Sequence, residues 1–287
     1  MIVNPYHHFV SEFARLVSEG RAYPLGTFAP LPRPQIPRDA PRVLIFSPHP
    51  DDEVIIGGLA LRLLHEAQWN IINVAVTRGS KRERQAERLE ELRRCCDCIG
   101  FGLVQTAPTG LEKVNPAARE QQPDQWAQSV RTIAALLEKE RPKVILFPHD
   151  LDWNSTHVGT HLLVMDALKS LPQEFSCHAV ETEFWGQNPS PNLMLELSAK
   201  HVADLITALT CHVGEVKRNP YHLLLPAWMM DSVRRGAELV GGQGGASPEF
   251  VFATLYRHRR WQGGRLINSF EGGKFCGCGE NVATFFD

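Results

Sequence analysis

Short apolar runs alternate along the chain with longer amphipathic ones. Val43 to Phe46 is unbroken apolar, and so is Val144 to Pro148. Runs this short without polar alternation mark strands buried on both faces. The pattern predicts a strand over 43–47, a helix over 54–67, a strand over 70–77 and a charged helix over 81–98. After a less regular stretch it predicts a helix over 124–140, a strand over 143–148, a helix over 157–170 and a strand over 178–185. Strands alternating with helices imply βαβ units and a mostly parallel sheet covered on both faces. Beyond Asn188 the texture weakens to a strand over 192–197, helices over 199–212 and 228–238, a flexible Gly241–Gly245 loop and a last strand over 250–257. Near the start, Phe9, Phe13, Leu16 and Val17 share a face of a helix within 1–22, and a Pro-rich connector follows from Pro24 to Pro41.

The expected fold class is therefore α/β, a three-layer, mostly parallel, Rossmann-like sheet with helices on both faces. Residues 1–41 are expected to form an extension over the domain, 42–260 the domain itself and 261–287 a C-terminal tail. With 287 residues, 43% of them hydrophobic and 22% charged, the chain can bury a sizeable core. A net charge of −2 excludes nucleic acid or an anionic membrane held by bulk electrostatics. No apolar window reaches the ~18 residues of a membrane span, and Met1 to Val10 carries no signal-peptide pattern. Of seven cysteines, Cys95, Cys96 and Cys98 crowd one predicted helix as small hydrophobes. Cys276-Gly-Cys278 lacks a second pair to complete a tetrahedral site, so it belongs to a tail on the surface or packed as a plug. Such cysteine usage implies a reducing, cytoplasmic setting.

The informative chemistry sits at two strand ends. Directly after the first strand come His49-Pro-Asp-Asp-Glu53. Three carboxylates in five residues repel one another unless a cation or a shared proton compensates. After the strand ending at Pro148 come His149, Asp150, Asp152, Asn154, His157 and His161, with the last two four apart on one helix face. One His and one Asp from the first turn plus one His from the second make a three-ligand site with an open position, the form catalytic zinc takes. Such a metal lowers the pKa of a bound water toward ~7 and polarises a carbonyl. Adjacent Asp51 and Asp52 point in different directions, so one can ligate while the other acts as a base.

These motifs resemble the PIG-L/LmbE-like zinc-dependent N-deacetylases. The resemblance rests on His49 to Glu53 after a buried strand and Asp152-x-Asn-x-x-His157 after a later one; it runs more weakly through Val76-Thr-Arg-Gly79, Arg88 to Leu92 and Phe147-Pro-His149, and faintly to Pro191-Asn192 and Ala208 to His212, over roughly residues 42–215. It implies that His49, Asp52 and His157 bind Zn²⁺, that Asp51 is the general base and that Arg88 binds substrate. The substrate class it implies is a small-molecule N-acetylated amino sugar or sugar conjugate. Many relatives carry His-Pro-Asp-His in the second motif; here Asn154 stands in place of the first His. Asn can donate a hydrogen bond to an oxyanion but is no proton donor at neutral pH. Either the proton returns through Asp51, or an imidazole near the substrate, His161 or His212, takes that role.

Two other readings use the same residues. One is an amidase acting on a larger conjugate. The other is a zinc-pocket binding protein with little catalysis, supported by Asn154, the N-terminal extension and the cysteine tail. A nucleotide-binding enzyme is disfavoured, since no Gly-x-Gly-x-x-Gly follows the first strand and a phosphate would meet carboxylates there. Trp153, Trp185 and Trp228 could stack on a sugar, and apolar residues in 220–260 would suit a homo-oligomer interface.

Overall fold

The structure, a computed structural model, describes residues 4–287. Strands are β1 (Arg42–Ser47), β2 (Asn70–Ala75), β3 (Gly102–Gln105), β4 (Val144–Pro148), β5 (Cys177–Thr182), β6 (Leu193–Leu197), β7 (Phe252–Gln262), β8 (Arg265–Asn268) and β9 (Lys274–Cys276). Helices are α1 (Pro5–Gly20), α2 (Asp52–Ile55), α3 (Gly58–Ala67), α4 (Gln85–Ile99), α5 (Pro116–Gln121), α6 (Pro123–Glu140), α7 (Ser155–Ser170), α8 (Ala199–Leu209), α9 (Val213–Arg218) and α10 (Leu225–Leu239).

All the strands join one sheet in the order β3-β2-β1-β4-β5-β7-β6-β9, with β8 on β7. The five from β3 to β5 are mutually parallel, and β7 enters antiparallel to both β5 and β6. The fold is thus α/β with three layers. The period-two pleat deals side chains to opposite faces. Val43 and Ile45 of β1 and Val144 and Leu146 of β4 join the core beneath α3, α4 and α8, whereas Leu44, Phe46, Ile145 and Phe147 face α6 and α7. The chain winds outward from β1 through β2 to β3, then crosses to β4 on the other side of β1. Strand order reverses there, opening a crevice at the carboxyl ends of β1 and β4. Both acid-and-imidazole motifs lie at those ends.

Several expected elements differ. The helix expected over 54–67 is broken into α2 and α3 because the Tyr256 hydroxyl of β7 inserts into the break, accepting from Leu59 N and donating to Ile56 O, both at 3.0 Å. The expected boundary at 260 falls inside β7, and β8 and β9 extend the same sheet, so residues 261–287 are part of the domain rather than a tail. Arg62, without exposed surface, holds this segment by donating to the carbonyls of Gly277 and Glu280 at 3.0 and 2.8 Å. Cys276 is buried beside it and Cys278 is exposed. Of the helix expected over 1–22, the first three residues lie outside the described residues. The remainder does not lie over the domain: Phe9, Val10, Phe13 and Leu16 stay exposed, and Gly20 at its end meets Leu223.

Candidate active site

His49 follows the end of β1, and its ring is held beside Asp52 at the start of α2. Asp52 Oδ2 accepts the His49 backbone N–H at 2.8 Å and lies 3.4 Å from His49 Nδ1. His157, in the first turn of α7, enters from the neighbouring strand end. Its Nε2 lies 3.2 Å from His49 Nδ1 and 3.5 Å from Asp52 Oδ2. Three donor atoms from two turns over a hundred residues apart therefore form a nearly equilateral triangle. A tetrahedral centre with bonds of about 2.1 Å separates its ligand atoms by about 3.4 Å, so the triangle fits a small divalent cation. The orientation of His157 supports this fit, because Asp152 Oδ2 lies 3.2 Å from Nδ1 and leaves Nε2 facing the other two donors. Burial opposes the charge on Asp52, but His157 and His49 beside it hold its carboxyl below the ordinary range. Burial likewise works against protonated His157, and the carboxylates of Asp52 and Asp152 outweigh it and push the imidazole up.

Asp51 lies next to this triangle and outside it. Its backbone has φ +115°, a strained conformation for a residue with a side chain. The strain is held by Glu53, whose Oε2 accepts the Asp51 N–H at 2.9 Å, while Glu53 Oε1 lies 2.7 Å from His212 Nε2. The Asp51 carboxylate accepts the Tyr221 hydroxyl at 2.5 Å and lies 3.9 Å from the Arg88 guanidinium. Burial, aided by the charge of Asp52, pushes the Asp51 carboxyl up to about 7.

A polar cleft of about 350 Å³ opens over these groups, and His49, Asp51, Arg88, Asn154, Trp153 and Trp185 line it. Asn154 is the N-cap of α7: its Oδ1 accepts Thr156 N–H at 2.9 Å, which leaves the Nδ2 donor free. Arg88 donates to Pro50 O at 2.9 Å and packs under Gly79, where a Cβ would lie 2.3 Å from Nη1 and φ is +82°. The positive φ favours glycine there, and a side chain would also displace the Arg88 guanidinium.

Two expected substrate contacts are corrected. His212 has no exposed surface and lies behind the first turn against Glu53, so it positions Asp51 indirectly rather than meeting substrate. His161 is buried under the second turn, its Nδ1 3.0 Å from Pro148 O and 3.6 Å from Glu181. His149 and Asp150 also turn away, toward Gly186 O and Arg257 respectively. Tyr221, Glu215 and Arg218 are residues the sequence reading missed. They sit on α9 and the turn after it, without a motif, and only the fold brings them to the site.

A family model described as PIG-L, GlcNAc-PI de-N-acetylase, matches residues 44–168, the span holding both turns. Over that span, 125 of the 287 residues, the chain is similar to the PIG-L family. Among solved structures, the chain is similar to N,N'-diacetylchitobiose deacetylase from Pyrococcus horikoshii, at 18% identity over 92% of this chain and 95% of that one, with a TM-score of 0.55. The A40926 pseudoaglycone deacetylase Dbv21 is similar at 15% identity over 78% and 99%, with a TM-score of 0.53. The 4-carboxy-2-hydroxymuconate hydratase GalB from Pseudomonas putida is similar at 15% identity over 76% and 95%, with a TM-score of 0.55. At these identities the likeness is one of fold, and a hydratase stands beside two deacetylases. No curated protein sequence matches the chain.

Proposed function

We propose that the protein is a zinc-dependent N-deacetylase that removes acetyl from an N-acetylated amino sugar or sugar conjugate, giving acetate and a free amine. The observation that carries this reading is the His49–Asp52–His157 triangle with Asp51 beside it, outside the triangle and open to the cleft. The PIG-L match over the same residues supports it. When bound by those three side chains, zinc would supply Lewis-acid stabilisation of negative charge on oxygen.

The chain's own groups supply the rest. Asp51, raised above the ordinary carboxylate range, accepts a proton from a water attacking the amide carbonyl. Tyr221 binds one carboxylate oxygen and so fixes the other toward the cleft. Asn154 Nδ2 donates to the oxygen that becomes negative during attack. The proton held on Asp51 then passes to the departing nitrogen, so no separate imidazole acid is required. Arg88 and the Trp153–Trp185 pair, with ring centroids 6.4 Å apart, hold the polar body of the substrate. All seven cysteines are free, in keeping with a reducing cytoplasm as the site of action. Among the described residues, no helix is long and apolar enough to cross a membrane.

The test is acetate release from a panel of N-acetylated amino sugars by zinc-loaded protein. Release by wild type and its loss in Asp51→Asn support the reading; release undiminished in Asp51→Asn overturns it.

A further inference from the structure

A second cleft, about 310 Å³, adjoins the polar one and has the opposite chemistry. Phe184, Trp185, Tyr221, Leu224, Leu225 and Trp228 line it, and Gln187 is the only fully polar side chain on its wall. Trp185 lines both clefts, and its ring meets Tyr221 edge-on with centroids 5.8 Å apart. The far end of Tyr221 is the hydroxyl on Asp51, so one aromatic wall runs from the apolar cleft to the candidate base. Leu224 is 53% exposed and Trp185 41% exposed. The cleft has roughly twice the ~150 Å³ that holds a benzene-sized guest, and it falls in the size range of small-molecule sites.

We infer that this cleft is a substrate subsite for an apolar arm, an alkyl or aryl group of about six carbons attached to the polar N-acyl amine held beside Asp51. The inference rests on the N-deacetylase reading proposed above and narrows its substrates to amphipathic conjugates. A small-molecule arm fits better than a protein surface because the cleft is concave and continuous with the acidic site. Its placement accounts for Tyr221 and Trp228, on the α9–α10 segment outside the matched PIG-L residues.

Such an arm can come from either end of the substrate. Two ligand series separate the ends: glucosamines N-acylated with acetyl, butanoyl or hexanoyl, and methyl, butyl or hexyl glucosides of N-acetylglucosamine. Binding to the zinc-loaded full chain is read by tryptophan fluorescence, and released acid is measured separately. Lengthening one arm to six carbons should tighten binding at least tenfold. Leu224→Glu, at the exposed rim, should collapse that gain while leaving the melting temperature near wild type. Gain in the first series places the acyl chain in the cleft, and gain in the second places the glycosidic arm there. No gain in either series overturns the subsite, as does a Leu224→Glu protein that changes oligomeric state but keeps the gain. Tighter binding without acid release from any member keeps the subsite and defeats the N-deacetylase reading instead.

Discussion

Asp51 and Asp52 are neighbours with the same side chain, and their surroundings push their carboxyl groups in opposite directions. Asp52 meets two imidazoles and is held anionic; Asp51 meets burial, a like charge and one phenol, and is raised. Asp51→Asn should lower turnover by about a hundredfold to ten-thousandfold while leaving the zinc content of the protein unchanged. Activity should rise with pH as Asp51 loses its proton. A bound cation offsets the push from Asp52 but not the burial, so this acidic limb should lie above the ordinary carboxylate range and no higher than about pH 7. A limb below pH 4 in kcat/KM would assign the proton to another group. Asn154 caps α7 through Oδ1 and lines the cleft, and the proposed reaction gives its Nδ2 a second job as donor to the oxyanion. Asn154→Ala removes both, with a capping loss of about 1 kcal/mol. Asn154→Asp keeps the acceptor and removes the donor. Both variants should slow turnover up to a few hundredfold, and only Asn154→Ala should also lower the melting temperature. Full activity in Asn154→Asp would remove Asn154 from the reaction.

At the scale of elements, the sequence was most legible where an element is buried on both faces. β1, β2 and β4 are largely apolar runs whose ends were readable within one or two residues, together with the acids and imidazoles just beyond β1 and β4; β5 carries His178, Glu181 and Thr182, and the strand expected over 178–185 ran three residues too far. β7 was harder, because Arg257, His258, Arg259 and Arg260 interrupt its pattern; Glu181 on β5 accepts from Arg257 and Arg259. Tyr221 was not legible at all, since its role is created by a partner 170 residues away in the chain. His157 depends on where α7 lies, and α7 crosses the segment at 114–115 closely at Gly159. A Cβ there would lie 2.4 Å from Val114 O and 2.6 Å from Asn115 Cα. Gly159→Ala should therefore cost about 2 kcal/mol or more, lower the melting temperature by about 5 °C or more and weaken zinc binding by shifting His157. A variant with unchanged thermal stability and zinc affinity would show that this packing does not set the site.

Across the whole molecule, the antiparallel entry of β7 brings a second pair of histidines together on the sheet, remote from the cleft. His178 Nδ1 lies 2.9 Å from His258 Nε2, with Phe286 packed against both rings. Burial, with Arg260 and Lys143 nearby, lowers His178 to about 4; burial and the facing His178 lower His258 to about 3. Both are neutral in the fold and protonate near pH 6.5 when the chain unfolds. The unfolded state then binds more protons below that pH, so stability falls as pH drops from about 6.5 toward 4, by on the order of a few kcal/mol for the pair. Melting temperatures measured across this window should decline, and His178→Gln should flatten the decline. An equally steep decline in the variant would place the acid sensitivity elsewhere.

The central claim is that one cation held by His49, Asp52 and His157 enables hydrolysis of an N-acetyl amide in the crevice where strand order reverses. Zinc titrated into chelator-stripped protein, with acetate release from N-acetylated amino sugars as the readout, tests it most directly. Stripped protein should be inactive, activity should return and saturate at one zinc per chain, and His157→Ala should fail to recover at the same zinc concentration. Acetate released at the full rate by stripped protein, or full recovery in His157→Ala, would contradict the claim.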